Sequence, residues 1–337
     1  MAFPTAPSAS GAAVPTSRAT SQAGPLARLG LALGLALAAC AGALTPAAAA
    51  PAAGHGEYGE YVALGDSYAA GAGVPAQSAG LCLRSDRNYP SVVAERLRPA
   101  VVRDVTCGAA KLAHLTEPQR YPVLGQVNAA QFDALTPGTR LVTMTLGGND
   151  MGEGLLGMGE IVVTCVTVAV VHPFGSPCRS AYGDSLDRRI EAAGPRLAAA
   201  LQEIHRRSPR ARVVVTGYPA ILPENPGDCL FRQPVTRSDA AYLRDVIKRL
   251  NAEIADRARA NGATYADVHT PTLGHDICQA PAQRWIEGVL PHQPAMSVHP
   301  NARGEQVMAE AVLASLRRAQ AGAPVPARPT GRATGRS

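Results

Sequence analysis

The sequence predicts an α/β domain built on a mainly parallel sheet, and two observations carry that expectation. Short apolar, β-branched runs alternate with longer stretches of helical period, and glycines and prolines punctuate most of the junctions between them. Strands are predicted at Tyr61 to Leu64, Val101 to Val105, Leu141 to Leu146, Arg212 to Thr216 and Thr264 to Val268. Helices fill the intervals. Leu243, Ile247, Leu250 and Ile254 recur at the spacing of one helical face, and Val307, Met308, Val312 and Leu316 nearly repeat it. No internal repeat or linker interrupts the body of the chain, so residues 58–318 are expected to form one domain. In a fold of this class the ligand site lies where loops leave the carboxyl ends of the strands.

Both ends read as something other than fold. Residues 1–50 have the pattern of a signal peptide: Arg18 and Arg28 without a nearby acid, the unbroken apolar stretch Leu29 to Ala39, then Ala-rich sequence. That stretch is too short to span a bilayer comfortably, so no transmembrane span is expected. Ala47 to Ala50 offers a cleavage site for simple secretion. Alternatively, Leu37, Ala38, Ala39 and Cys40 resemble a lipobox, in which Cys40 would carry a lipid anchor. Residues 51–57 read as a short linker, and residues 319–337, made of Ala, Gly, Pro, Arg and Thr with little to bury, as a disordered tail.

The net charge of +6 is misleading as a sign of nucleic-acid binding. Arg18, Arg28, Arg328, Arg332 and Arg336 lie in the two ends, which leaves 27 bases against 26 acids elsewhere. Such a body has no broad basic surface from which to release the counterions of a polyanion. Beyond Cys40 the chain carries Cys82, Cys107, Cys165, Cys178, Cys229 and Cys278, an even number that favours disulfides in an exported protein. With no Cys-x-x-Cys, no His-Glu-x-x-His and scattered histidines, a zinc site has little support.

Three clusters carry the candidate chemistry. Ser67 follows the apolar run Tyr61 to Leu64 in a tight turn flanked by Gly65, where a hydroxyl would be exposed at a sheet edge. A serine hydroxyl is a poor nucleophile unless a base lies in reach and fixed donors await the oxyanion. Asn149 follows Leu141 to Leu146 and two glycines, and its carboxamide is a neutral donor suited to a transient oxyanion. The plainer account of Asn149 is an Asx turn, with Asp150 capping the next segment. His299 precedes Pro300 and Asn301, and Asn301 is a plausible N-cap, so its ring would sit at a rigid loop-to-helix junction. A second Gly-Asp-Ser triplet, Gly183 to Ser185, does not follow a strand. Asp184 or Ser185 is better explained as the N-cap of the helix through Ile190, Leu197, Leu201 and Ile204.

The order of Ser67, Asn149 and His299 resembles that of the SGNH, or GDSL-type, hydrolases, among them secreted actinobacterial esterases and lipases, over roughly residues 58 to 318. The resemblance implies a flavodoxin-like three-layer α/β/α sandwich. It makes Ser67 the nucleophile and one oxyanion donor through its N–H, Asn149 a side-chain donor and His299 the general base. The remaining donor in the family is a glycine N–H two positions after a cysteine, and here that position is Ala109, with Gly108 as the fallback. Alanine keeps the N–H if its φ stays negative. The family's Asp three residues before the histidine is Met296 here. The Met296 carbonyl is therefore the expected acceptor for the ring Nδ1 proton, giving a Ser-His dyad, with Asp276 or Glu287 as carboxylates that could replace the Asp in space. The resemblance also implies the pairs Cys82–Cys107, Cys165–Cys178 and Cys229–Cys278.

These readings give a secreted ester hydrolase, monomeric, needing no cofactor or metal and acting on small-molecule or lipid esters. Leu155, Leu156, Met158 and Ile161, in the apolar segment after Asn149, are candidates for an acyl-chain pocket; the plainer account is a buried helix. Few aromatics and the single Trp285 disfavour a sugar-stacking platform. The alternatives are a polysaccharide acetylesterase or phospholipase on the same fold, or a secreted binding protein on an inactive hydrolase fold.

Overall fold

A computed structural model describes residues 58–321. The expected signal peptide, Cys40 and most of the Arg-rich tail lie outside the described residues. The strands in chain order are β1 (Glu60–Gly65), β2 (Gln77–Ala79), β3 (Arg84–Ser85), β4 (Val101–Asp104), β5 (Gln119–Tyr121), β6 (Gly125–Asn128), β7 (Leu141–Thr145), β8 (Arg212–Thr216) and β9 (Thr264–Ala266). The helices are α1 (Ser67–Ala70), α2 (Tyr89–Leu97), α3 (Met158–Val171), α4 (Pro177–Tyr182), α5 (Ser185–Arg207), α6 (Arg237–Ala260) and α7 (Ala302–Gln320). Helix α7 thus runs on past Arg318, slightly beyond the predicted domain end.

Five strands form one sheet in the order β4-β1-β7-β8-β9, with every neighbouring pair parallel. Counting only these five, the order is 2-1-3-4-5, the flavodoxin-like arrangement. Its central strands β1, β7 and β8 are buried almost throughout, as a parallel sheet covered on both faces requires. Edge strand β4 instead exposes Val101 and Val102. Helix α2 packs with α7 and α5 with α6, which supplies the flanking layers. The apolar faces read from the sequence hold: Ile247, Leu250 and Ile254 of α6 and Val307, Met308, Val312 and Leu316 of α7 are buried.

Two antiparallel ribbons, β2 with β3 and β5 with β6, lie outside the main sheet. All three expected disulfides are formed, Cys82–Cys107, Cys165–Cys178 and Cys229–Cys278. The first brings the segment before β3 to the loop after β4, where the Gly108 N–H donates to the Cys82 carbonyl at 2.8 Å.

Candidate active site

Strand β1 delivers Ser67 to the first position of α1, and Asp66 caps that helix by accepting the Tyr68 N–H at 2.9 Å. Only glycine fits before them. Gly65 has φ +152°, and a Cβ there would stand 2.6 Å from the Ala69 Cβ and 2.8 Å from the Thr145 carbonyl oxygen. This close approach joins the ends of β1 and β7, and the Asp66 N–H donates to the Thr145 carbonyl at 2.9 Å. The buried side chain of Gln131 holds the same turn from another side, accepting the Gly65 N–H at 2.8 Å and donating to the Gly65 carbonyl at 2.9 Å.

After β7 the chain turns through Gly147 into a short helical turn, Gly148–Met151, that carries Asn149. Its carboxamide is oriented at both ends: Oδ1 accepts the Met158 N–H at 3.0 Å, and Nδ2 donates one proton to the Ala110 carbonyl at 3.0 Å. The second Nδ2 proton makes no hydrogen bond among the described residues. Gly157, at φ +55°, allows the α3 entry to close over Asn149, since a Cβ there would lie 2.5 Å from the Asn149 Cβ. Asp150 does not cap the next segment; its Oδ2 accepts the Leu112 N–H at 3.0 Å.

Just before α7, whose N-cap is Asn301, stands His299. Its Nε2 lies 2.7 Å from the Ser67 hydroxyl oxygen, and its Nδ1 lies 2.8 Å from the Ser297 carbonyl. An Nδ1–H that donates to Ser297 leaves Nε2 free to accept the Ser67 hydroxyl. The acceptor is therefore one residue later than expected. Met296 uses its carbonyl for the His299 backbone N–H instead, at 3.2 Å. Val298, between Ser297 and His299, takes the left-handed φ of +63°. Neither candidate carboxylate reaches the ring: Asp276 accepts from the Cys278 N–H and the Gln279 amide, and Glu287 from the Asn301 amide and the His292 N–H.

Ser67, Asn149, Ala109, Gly108 and His299 all line one cleft of about 300 Å³. Ala109 departs from expectation, with φ +58° in place of a negative value. Its N–H and that of Ser67 make no hydrogen bond among the described residues, and both border this cleft. Leu156 and Met158 line it as expected of an acyl pocket, whereas Ile161 faces a second cavity and Leu155 is exposed outside the lining. The segment after Gly157 is a helix, but a half-exposed one, with Val163, Val170 and Val171 facing solvent.

The sequence of residues 63–307 matches the model of the GDSL-like Lipase/Acylhydrolase family. The chain belongs to that family. Membership makes it a carboxylic ester hydrolase of the lipase and esterase kind. It is 44% identical over 256 residues to "Lipase 2" of Streptomyces coelicolor, covering 74% of this chain and 83% of that protein. Among solved structures it resembles phospholipase A1 from Streptomyces albidoflavus NA297, with TM-score 0.63 and 27% identity over 77% of this chain and 99% of that one. The extracellular lipase of Streptomyces rimosus gives TM-score 0.61 and 26% identity over 76% and 99% of the two chains.

Several groups shaping this GDSL-like site were not foreseen from sequence. Tyr68 lays its ring against that of His299, with centroids 4.6 Å apart, and its hydroxyl donates to the Val298 carbonyl at 2.6 Å. The fully buried Tyr218 donates its hydroxyl to Asp66 and accepts the Gly148 N–H at 2.8 Å, so one side chain ties the Ser67 turn to the Asn149 turn. Burial pushes the Asp66 carboxyl up to about 7, against the pull of the Tyr218 hydroxyl and the Tyr68 N–H. Burial likewise drives the His299 imidazole down to about 4, opposed by the Ser297 carbonyl. Tyr68 could have been suspected from its place beside Ser67. Tyr218 and Gln131 carry no local signal at all.

Proposed function

We propose that this protein is an exported serine esterase or lipase that works through a Ser67–His299 dyad, with Ser297 as the carbonyl that orients the base. The observation that carries the reading is the 2.7 Å contact between Ser67 and His299, two residues 232 positions apart in the chain. The Ser67 hydroxyl attacks the acyl carbon of an ester and passes its proton to His299 Nε2. The carbonyl oxygen becomes an oxyanion, for which the free Asn149 Nδ2 proton and the N–H groups of Ser67 and Ala109 are the available donors. His299 then protonates the leaving alcohol. Water, activated by the same ring, releases the acid and restores Ser67.

A carbonyl in place of a carboxylate fixes the imidazole tautomer but stabilises the imidazolium less. Burial lowers the His299 pKa to about 4, so the ring is expected to be neutral, and able to accept a proton, at neutral pH. The three disulfides suit an oxidising compartment. An apolar cleft wall with Leu156, Met158, Val162 and Val163 supports acyl chains over sugars, and Trp285 stacks on His275 rather than lining the cleft.

Phospholipid is a second substrate reading, favoured by the likeness to the phospholipase A1 from Streptomyces albidoflavus NA297. The test of the common chemistry is covalent. A fluorophosphonate should label the protein once, and peptide mass mapping should place the adduct on Ser67. An adduct on Ser185, or none while the protein still hydrolyses p-nitrophenyl butyrate, would overturn the assignment.

A further inference from the structure

Helix α3 stands between two cavities. In front lies the cleft of Ser67; behind it, toward α6, lies a second cavity of about 80 Å³ whose walls include Ile161, Leu243, Val246, Ile247 and Val289. Met158, Val162 and Val298 line both, so the two spaces are separated by the thickness of these side chains.

The rear cavity offers nothing to a polar guest. No polar atom of its lining faces the space, and its one lining residue with a side-chain amide, Gln233, accepts the Val289 N–H at 3.0 Å and donates to the Ile277 carbonyl at 2.8 Å. A water held there would find too few partners, whereas apolar cavities of this kind take hydrocarbon. The partition has one compliant member. Met158 is unbranched, with a side chain that rotates about three bonds. Val298 is the opposite: it is β-branched yet held at φ +63°, with its carbonyl pinned by the Tyr68 hydroxyl and its N–H donating to the Gly288 carbonyl at 3.2 Å. A β-branched residue in that conformation is a true outlier, the kind retained where a site has use for it. Here its side chain closes the wall directly beside His299.

We propose that the rear cavity is a tail site for the distal methylenes of a long straight acyl chain, entered when Met158 swings aside while the ester end sits at Ser67. This assignment rests on Ser67 as the nucleophile for the hydrolytic test, and a binding test keeps it separable.

The experiment compares kcat/KM for p-nitrophenyl butyrate and p-nitrophenyl dodecanoate in the full chain and two variants. Val246→Phe fills the rear cavity and should lower the dodecanoate-to-butyrate ratio roughly tenfold or more. Met158→Ala thins the partition and should raise that ratio. A ratio within about twofold of the parent in both variants would overturn the proposal. If Val246→Phe folds poorly, Val289→Phe fills the same space from another wall. Calorimetric binding of dodecanoate to the Ser67→Ala protein, weakened roughly tenfold by Val246→Phe, supports the tail site even if Ser67 proves not to be the nucleophile. Dodecanoate bound equally well with the cavity filled overturns it.

Discussion

The chain spells Gly-Asp-Ser twice, and the two copies sit in settings that share almost nothing. Gly65, Asp66 and Ser67 end a buried strand, and Ser67 is only 8% exposed. Gly183 and Asp184 are exposed residues between α4 and α5, where Asp184 occupies the N-cap without a side-chain cap bond. Both glycines take positive φ. A Cβ on Gly65 would collide with Ala69 and Thr145, while one on Gly183 would meet nothing within 4 Å. The first turn is therefore built by two strands pressed together, whereas the second is an open turn in which glycine is required only for its positive φ. The hydroxyl gains its chemistry from what the sheet brings to it, not from the triplet.

The sharpest way to break this contrast is to remove each hydroxyl in turn. Ser67→Ala should reduce kcat on p-nitrophenyl butyrate by roughly 10³-fold or more, as loss of a nucleophile does, while Ser185→Ala should change it by less than about twofold. Equal losses would mean that the strand-end setting is not what matters. A step smaller is Asn149→Ala. It removes one oxyanion donor and should cost roughly 10²- to 10³-fold in kcat with little change in KM, because the contact strengthens only as the oxyanion forms. A rise in KM alone would instead make Asn149 a ground-state binding residue.

The candidate side chains Ser67, Asn149 and His299 were legible in the sequence, whereas the backbone groups and the distant side chains that support them were not. Ser67, Asn149 and His299 announce themselves by residue type beside strand and helix signals, and a family resemblance aligns them. A carbonyl has no letter. The acceptor is Ser297 in place of Met296, next to the left-handed Val298, and neither that residue nor Ala109 at φ +58° is one for which sequence suggests such a backbone. Strand centres were read well because β1, β7 and β8 are apolar on both faces, but their ends depend on local turns. Strand β9 stops at Ala266, short of the expected Val268, because Asp267 folds back to accept the N–H groups of His269 and Thr270. Tyr218 and Gln131 reach the Ser67 turn from far along the chain, so only folding reveals them.

The base offers a smaller effect with a definite sign. With His299 as the proposed base and its pKa lowered to about 4, the acid limb this ring sets on kcat/KM, about tenfold per unit, should begin only as pH drops below about 4. The same lowering means the unfolded chain binds the proton first, so stability should decline as pH falls from the ordinary imidazole range toward about 4. An acid limb near 6.5 would show a ring more open to water than the Tyr68 contact implies.

The smallest effect separates the two triplets by their tyrosines. Tyr218 holds the first through Asp66 and Gly148, while Tyr242 holds the second by donating to the Gly183 carbonyl at 2.9 Å. Tyr218→Phe leaves one oxygen of the buried Asp66 carboxyl and the buried Gly148 N–H without their partner, while the other Asp66 oxygen keeps the Tyr68 N–H, and each lost partner costs about 1–3 kcal/mol. It should also move the Asp66 carboxyl still higher, since the hydroxyl is the strongest pull against its burial. Tyr242→Phe frees a carbonyl on an exposed glycine that water can reach, and about 0.5–1.5 kcal/mol is expected. Urea denaturation of both variants at neutral pH measures the difference. If the two cost the same, the strand-end turn draws no special support from its buried partners, and the geometry around Ser67 must be held by Gln131 and the sheet alone.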